Sequence, residues 1–145
     1  MSMRKKQEGG SIVEFAIMGP LFLVILFAIM EFSLALYNQA VITNASREGA
    51  RLGIRYTNNL LTTSEVEDDM EARVNEVLTN TPLVTFGTGT ATPTCTVAGL
   101  NPGDNVQCQV DFTYEYGVIG NLIQLIGGDL GSSIDQSSTT RMQME

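Results

Sequence analysis

The chain predicts an α+β fold: a long N-terminal transmembrane helix that projects as a stalk, then a second helix and a small antiparallel β-sheet head. Three observations lead there. No charged residue interrupts the 16 positions from Phe15 to Met30, and Arg4, Lys5 and Lys6 stand just before them. Ser64 and Glu67 stand in the S-x-x-E relation that opens a helix, ahead of an apolar stripe at helical spacing. From Val106 to Tyr116 apolar and polar residues alternate without a break, which is the period of a half-buried strand.

The first helix is expected from Ser11 to Tyr56. A removable secretory signal also has a basic head and an apolar region, but it ends in a small-residue cleavage site. Here the apolar run meets Glu31, Phe32 and Tyr37 instead, and with Ile12, Val13 and Phe32 to Leu36 it reaches the ~20 residues of a spanning helix. The segment therefore reads as a retained anchor. Basic residues gather on the cytoplasmic side of a span, and the next after Lys6 is Arg47, so the N-terminus is expected inside and the remainder exported. At about 1.5 Å per residue, 46 helical positions run to roughly 70 Å, more than twice the hydrocarbon core, so the second half must project beyond the membrane. Pro20 is expected to bend the helix. The division that follows is a cytoplasmic leader over 1–9, a transmembrane and stalk helix over 10–56, and an exported α+β head over 57–145.

In the head, Glu65, Glu67, Asp68, Asp69 and Glu71 suit the positive end of the second helix, and Val66, Met70, Val74, Val77 and Leu78 form its apolar stripe, which should end near Asn80. The acidic cluster lacks the alternating ligands and glycine of a calcium loop. Thr85 to Pro93 reads as a connection, Thr94 to Val97 as the hairpin partner of the alternating strand, and Ser137 to Met144 as a third strand. Val118 to Ile126 reads as a short helix or a loop packed on the sheet. If the strands pair symmetrically about the turn-rich Gly99 to Asp104, Cys95 faces Cys108 and Val97 faces Val106. A disulfide there suits an exported domain and would stabilise it by roughly 3 kcal/mol, two free buried thiols being the alternative.

Composition excludes several functions. A net charge of −8 disfavours nucleic acid as a partner. With no histidine and two cysteines the chain cannot supply the four ligands of structural zinc, and no metal or cofactor is expected. Enzymatic activity is not expected either, for no serine sits in a nucleophile-elbow pattern and the carboxylates are accounted for as caps and surface. Arg47, Arg51 and Arg55 share one face of the stalk with Glu48 beside them, and Ala45, Gly49, Ala50 and Gly53 are small enough to let another backbone approach. That face reads either as a helix interface, centred on Arg47, Glu48, Gly49 and Arg51, or as an ordinary solvated basic surface.

Two blocks in order resemble the TadE-like family of minor pilins, or pseudopilins, of tight-adherence (Flp/Tad) pili. One is Gly9-Gly10-Ser11-Ile12-Val13-Glu14-Phe15-Ala16 with Pro20, and the other is Asn44-Ala45-Ser46-Arg47-Glu48-Gly49-Ala50-Arg51. The head is matched only through its cysteine pair and Thr140-Arg141-Met142. The resemblance implies cleavage by a prepilin peptidase at Gly9 and Gly10, with Glu14 at the fifth mature position beside Phe15 if the cut follows Gly9 and at the fourth if it follows Gly10. A carboxylate at the edge of the apolar phase is costly unless paired, and the new terminal amine of a neighbouring subunit would pair with Glu14 and set register. A glutamate that merely reaches to the cytoplasmic interface is the alternative. The implied partners are major and minor pilin subunits, the prepilin peptidase, the inner-membrane assembly platform and membrane lipid, in the bacterial inner membrane or the pilus itself. An unprocessed single-pass scaffold of a secretion or assembly platform is the other functional class open to the sequence.

Overall fold

The computed structural model describes residues 8–56, 61–87, 89–125, 127–128 and 131–144. The basic residues Arg4, Lys5 and Lys6 lie outside them. Helix α1 spans Glu8–Gly53 and passes through Pro20 as one continuous helix, ending in a 3-10 turn at Ile54–Tyr56. Its two halves have different surfaces. Ile12, Phe15, Ile17 and Phe22 are all exposed, whereas Asn38, Val41, Ile42, Ala45, Ser46, Gly49, Ala50 and Gly53 are buried. That second set recurs at i, i+3 and i+4, the stripe of a helix facing a core.

Helix α2, Thr63–Asn80, lies along this stripe in the opposite sense: Met70 reaches Gly53, Val74 reaches Gly49, and Arg73 meets Glu48. Val66, Met70 and Val74 are fully buried, as the apolar spacing requires. The capping box expected at Ser64 and Glu67 is formed two residues earlier. Thr62 is the N-cap, its hydroxyl accepts from the Glu65 N–H at 3.4 Å, and the Glu65 carboxylate accepts from the Thr62 N–H at 2.8 Å. Both pairs satisfy the motif, and the earlier one leaves Glu67 and Glu71 free, one turn apart, to serve the sheet. Hydrogen bonds from Thr62 hold the Glu65 carboxyl below the usual glutamate range. Thr62→Ala is therefore expected to lower stability by about 1 kcal/mol and Ser64→Ala by far less, measured by denaturant unfolding. Because the Glu65 pKa is depressed in the folded state, its contribution is present above the ordinary glutamate value and is lost as pH falls through the folded one.

Strands β1 (Ala91–Val97), β2 (Asn105–Glu115) and β3 (Ser133–Gln143) form an antiparallel sheet in that order. The expected register is found, with Cys95 opposite Cys108 and Val97 opposite Val106. Val106, Cys108, Val110, Phe112 and Tyr114 point inward onto α1 and α2, and the intervening residues face out. β1 begins three residues before the expected start and takes in Pro93. The Ala98 N–H donates to Asn105 C=O, so Thr92, Thr94 and Thr96 bond to β2 while Ala91, Pro93, Cys95 and Val97 turn their backbone groups outward. A proline costs no ladder bond at an outward position of an edge strand. The outward N–H groups of Cys95 and Val97 donate to Glu71 at 3.1 Å and Glu67 at 2.8 Å. The acidic start of α2 is thus also the cover of the β1 edge, a role that its spacing alone did not disclose.

Helix α3, Ile119–Leu125, is the short helix expected between Val118 and Ile126, and it lies against α1.

Candidate functional site: one helix with two faces

Gly10, Glu14 and Phe15 lie in the exposed first half of α1, and Gly9 is in the same helix. A Cβ placed on Gly10 would meet nothing within 4 Å. Among the described residues Glu14 has no hydrogen-bond or ion-pair partner within the chain. The apolar side chains around it are uncovered, and α1 is long and apolar enough to cross a membrane. Among the described residues, no other element of the chain covers this half.

The second half has its neighbours within the chain. A Cβ at Gly49 would lie 2.7 Å from Val74 Cγ2 and 2.9 Å from Cys108 Sγ, and one at Gly53 would lie 2.6 Å from Met70 Sδ and 2.7 Å from Val106 Cγ1. The small-residue face expected to admit another backbone therefore seats this chain's own α2 and β2. Arg47, Arg51 and Arg55 are exposed on a different side. Glu48 joins Arg51 at 3.6 Å and Arg73 at 3.7 Å, and Arg73 also holds Glu76 at 2.8 Å. Together Arg51, Arg55, Arg73, Glu48 and Leu52 line a cleft of about 390 Å³. The predicted interface residues thus separate, Gly49 into the core and the arginines onto the surface. Cys95 and Cys108 are joined by a disulfide, both sulfurs buried beneath α1.

Two polar residues of α1 that the sequence did not single out fasten the helix to the head. Asn38, fully buried, donates from Nδ2 to Val84 C=O at 2.6 Å and accepts at Oδ1 from the Val84 N–H at 2.9 Å, satisfying both backbone groups of one residue. Glu31, at 3% exposure, accepts at Oε1 from the N–H groups of Val118 and Ile119, the latter at 3.1 Å. A carboxylate is favourable there, where α3 begins and its N–H groups lack helical acceptors. Glu31 Oε2 and the Tyr114 hydroxyl are buried without a partner, and burial followed by the nearby Glu31 charge pushes the Tyr114 pKa up. The available signal was an acid placed directly after sixteen uncharged residues. At such a place, an acid has to be paired or folded away from lipid.

No curated protein and no solved structure matches this chain. The model of the family described as TadE-like protein matches residues 9–51, a stretch that takes in both the exposed apolar half of α1 and the Asn44 to Arg51 block, so it is over this helix that the chain is similar to TadE-like proteins.

Proposed function

We propose that the chain is a minor pilin or pseudopilin of a tight-adherence (Flp/Tad) pilus, a non-enzymatic subunit held in the inner membrane by the first half of α1. In this reading a prepilin peptidase removes the leader at Gly9 and Gly10, and the subunit then initiates, caps or supports pilus assembly among other major and minor pilins. The observation behind the reading is the division of α1. The half that packs on the head buries one continuous stripe against the chain's own α2 and β2, and the half bearing Glu14 and Phe15 is exposed, as lipid or neighbouring helices would require. The family match over residues 9–51 supports the same reading.

Intact mass spectrometry, without reductant, of protein isolated from cells with their own prepilin peptidase tests it. A chain shortened by Met1 to Gly9 or Met1 to Gly10 supports a processed pilin subunit. A chain that retains Arg4, Lys5 and Lys6 indicates the unprocessed scaffold and overturns the proposal. Gly9→Leu is expected to leave the leader in place, which the same measurement reads. Glu14→Ala should insert normally yet enter pili roughly tenfold less, as loss of a pairing worth about 1.4 kcal/mol implies. Unchanged incorporation, measured by immunoblot of sheared pili, would remove Glu14 from the assembly mechanism.

A further inference from the structure

A groove of about 470 Å³ lies at the foot of the head, between α1 and the start of β3. Its walls are apolar, with Ala28, Phe32 and Leu36 from α1, Tyr116 and Ile119 from the segment after β2, and Ile134 from β3. Phe32, Leu36 and Ile134 are 66%, 54% and 43% exposed. Ala28 belongs to the uncharged run itself, and Phe32 and Leu36 continue it beyond Glu31. The groove thus opens where the exposed apolar half of α1 ends.

Two of its lining residues carry an acceptor that nothing in the chain answers. Glu31, almost fully buried, commits Oε1 to the N–H groups of Val118 and Ile119, and its Oε2 is buried without a partner. Gln136 donates from Nε2 to Ala35 C=O at 2.8 Å, and its buried Oε1 has no partner either. Both lone oxygens are acceptors, so a donor suits them, and beside a carboxylate a cationic donor suits best. Among the described residues no lysine or arginine lines the groove. Arg47 stands sixteen positions beyond Glu31, about 24 Å up the helix, and Arg141 five positions beyond Gln136, about 17 Å along the strand.

We propose that the groove binds an ethanolamine phospholipid of the leaflet on the head's side, its primary ammonium at the Glu31 and Gln136 oxygens and an acyl chain running past Ala28 along the exposed half of α1. The proposal rests on the reading of that half as the membrane anchor. An ammonium carries three donors in a small volume, enough for both oxygens. Phe32 and Tyr116 add aromatic rings, whose faces attract cations. A second copy of this chain has no ammonium to offer at this depth. Lys5, Lys6 and the terminal amine freed at Gly9 or Gly10 precede Glu31 by twenty positions or more, about 30 Å of helix, which places them at the opposite leaflet. A lipid head is the donor that the bilayer itself brings to the level of Glu31.

The test places the full chain, isolated from its own membranes, in nanodiscs of equal parts ethanolamine, choline and glycerol phospholipid, and native mass spectrometry reads which lipid the protein retains. Choline keeps the positive charge without an N–H donor, and glycerol has no cation, so the pair separates hydrogen bonding from charge and from apolar filling. Expected is retention of ethanolamine lipid roughly tenfold over either of the others, about the factor that one charge-assisted hydrogen bond supplies. Glu31→Gln keeps an oxygen for the Val118 and Ile119 N–H groups and removes the charge, so it should level the three lipids. Ile134→Arg, at an exposed position, places a guanidinium in the groove and should displace the lipid, which keeps the question decidable if the Glu31 variant fails to fold. Equal retention by the parent, a preference for choline or glycerol lipid, or an ethanolamine preference that the folded variants leave intact would overturn the proposal. A chain that alkaline carbonate washes from its membranes would sink the anchor reading together with this site, whereas a membrane-held chain indifferent to headgroup sinks this site alone.

Discussion

Gly49→Leu is expected to destabilise the head by about 3 kcal/mol or more, and Gly49→Ala by a net 1 to 2 kcal/mol, roughly the range that overpacking a full core costs. Helix propensity points the other way, since alanine within a helix is favoured over glycine by about 1 kcal/mol. Geometry decides the sign. The first atom of any side chain at Gly49 would lie inside contact distance of both Val74 and the Cys108 sulfur, and the sulfur is tied through Cys95 to the neighbouring strand. Gly53 is more forgiving, because the atom nearest its added Cβ is the Sδ of a flexible methionine. Gly10, with open space around it, is the control at which alanine should be neutral or stabilising. Thermal unfolding in detergent, followed by circular dichroism, reads all three, and about 1 kcal/mol corresponds to roughly 4–8 °C for a domain of this size. A midpoint for Gly49→Ala at or above that of the parent would show that α2 and β2 do not rest on this glycine.

Removing the disulfide, by Cys95→Ala with Cys108→Ala or by reductant, should cost about 3 kcal/mol, in line with closure of a loop spanning 13 residues. The midpoint of denaturant unfolding, compared with and without reductant, measures it. Because the Cys108 sulfur sits over Gly49, the two effects should not add. In the cysteine-free chain Gly49→Ala should cost less than in the parent, because the interfering sulfur is gone. A strictly additive double-mutant cycle would mean that the two sites are energetically separate.

What could be read from the chain, and what could not, follows from the range of each signal. The long apolar helix, the apolar stripe of α2 and the alternation of β2 are local patterns, and each appears where expected. The Cys95 to Cys108 register was legible because a short turn-rich connection leaves a hairpin few alternatives. The cap of α2 was misplaced because Thr62 with Glu65 and Ser64 with Glu67 are equally good boxes locally, and the choice is made by distant N–H groups at Cys95 and Val97. Pro93 hid the start of β1 because proline argues against a strand unless the outward edge is known. β3 begins at Ser133, four residues before the expected start, in a polar stretch whose pairing is set by β2. The partners of Asn38 and Glu31 were invisible for the same reason, since each serves a backbone group more than forty residues away, and only the position of Glu31 after an uncharged run gave a signal. In the candidate site the residue types of the Asn44 to Arg51 block were legible as one motif. Which of them face inward was not, because a helix carrying both small and charged residues does not declare which face its own chain will cover.

If the first half of α1 is the membrane anchor proposed above, the tie between Glu31 and α3 also sets how much helix is available to the bilayer. The uncharged run below Glu31 is 16 residues, about 24 Å of helix, against a hydrocarbon core of about 30 Å. A free helix would make up the difference by rising until Phe32 and Leu36 enter the lipid, but here that motion draws the head, held at Val118 and Ile119, against the membrane surface. The remaining choice is for the bilayer to thin around the protein, at fractions of a kcal/mol per Å of mismatch. The head thus acts as a stop that keeps the anchor short. On that reading a subunit held this way would rest in the membrane under a small standing strain, relieved when its apolar half is transferred from lipid to the side of another helix.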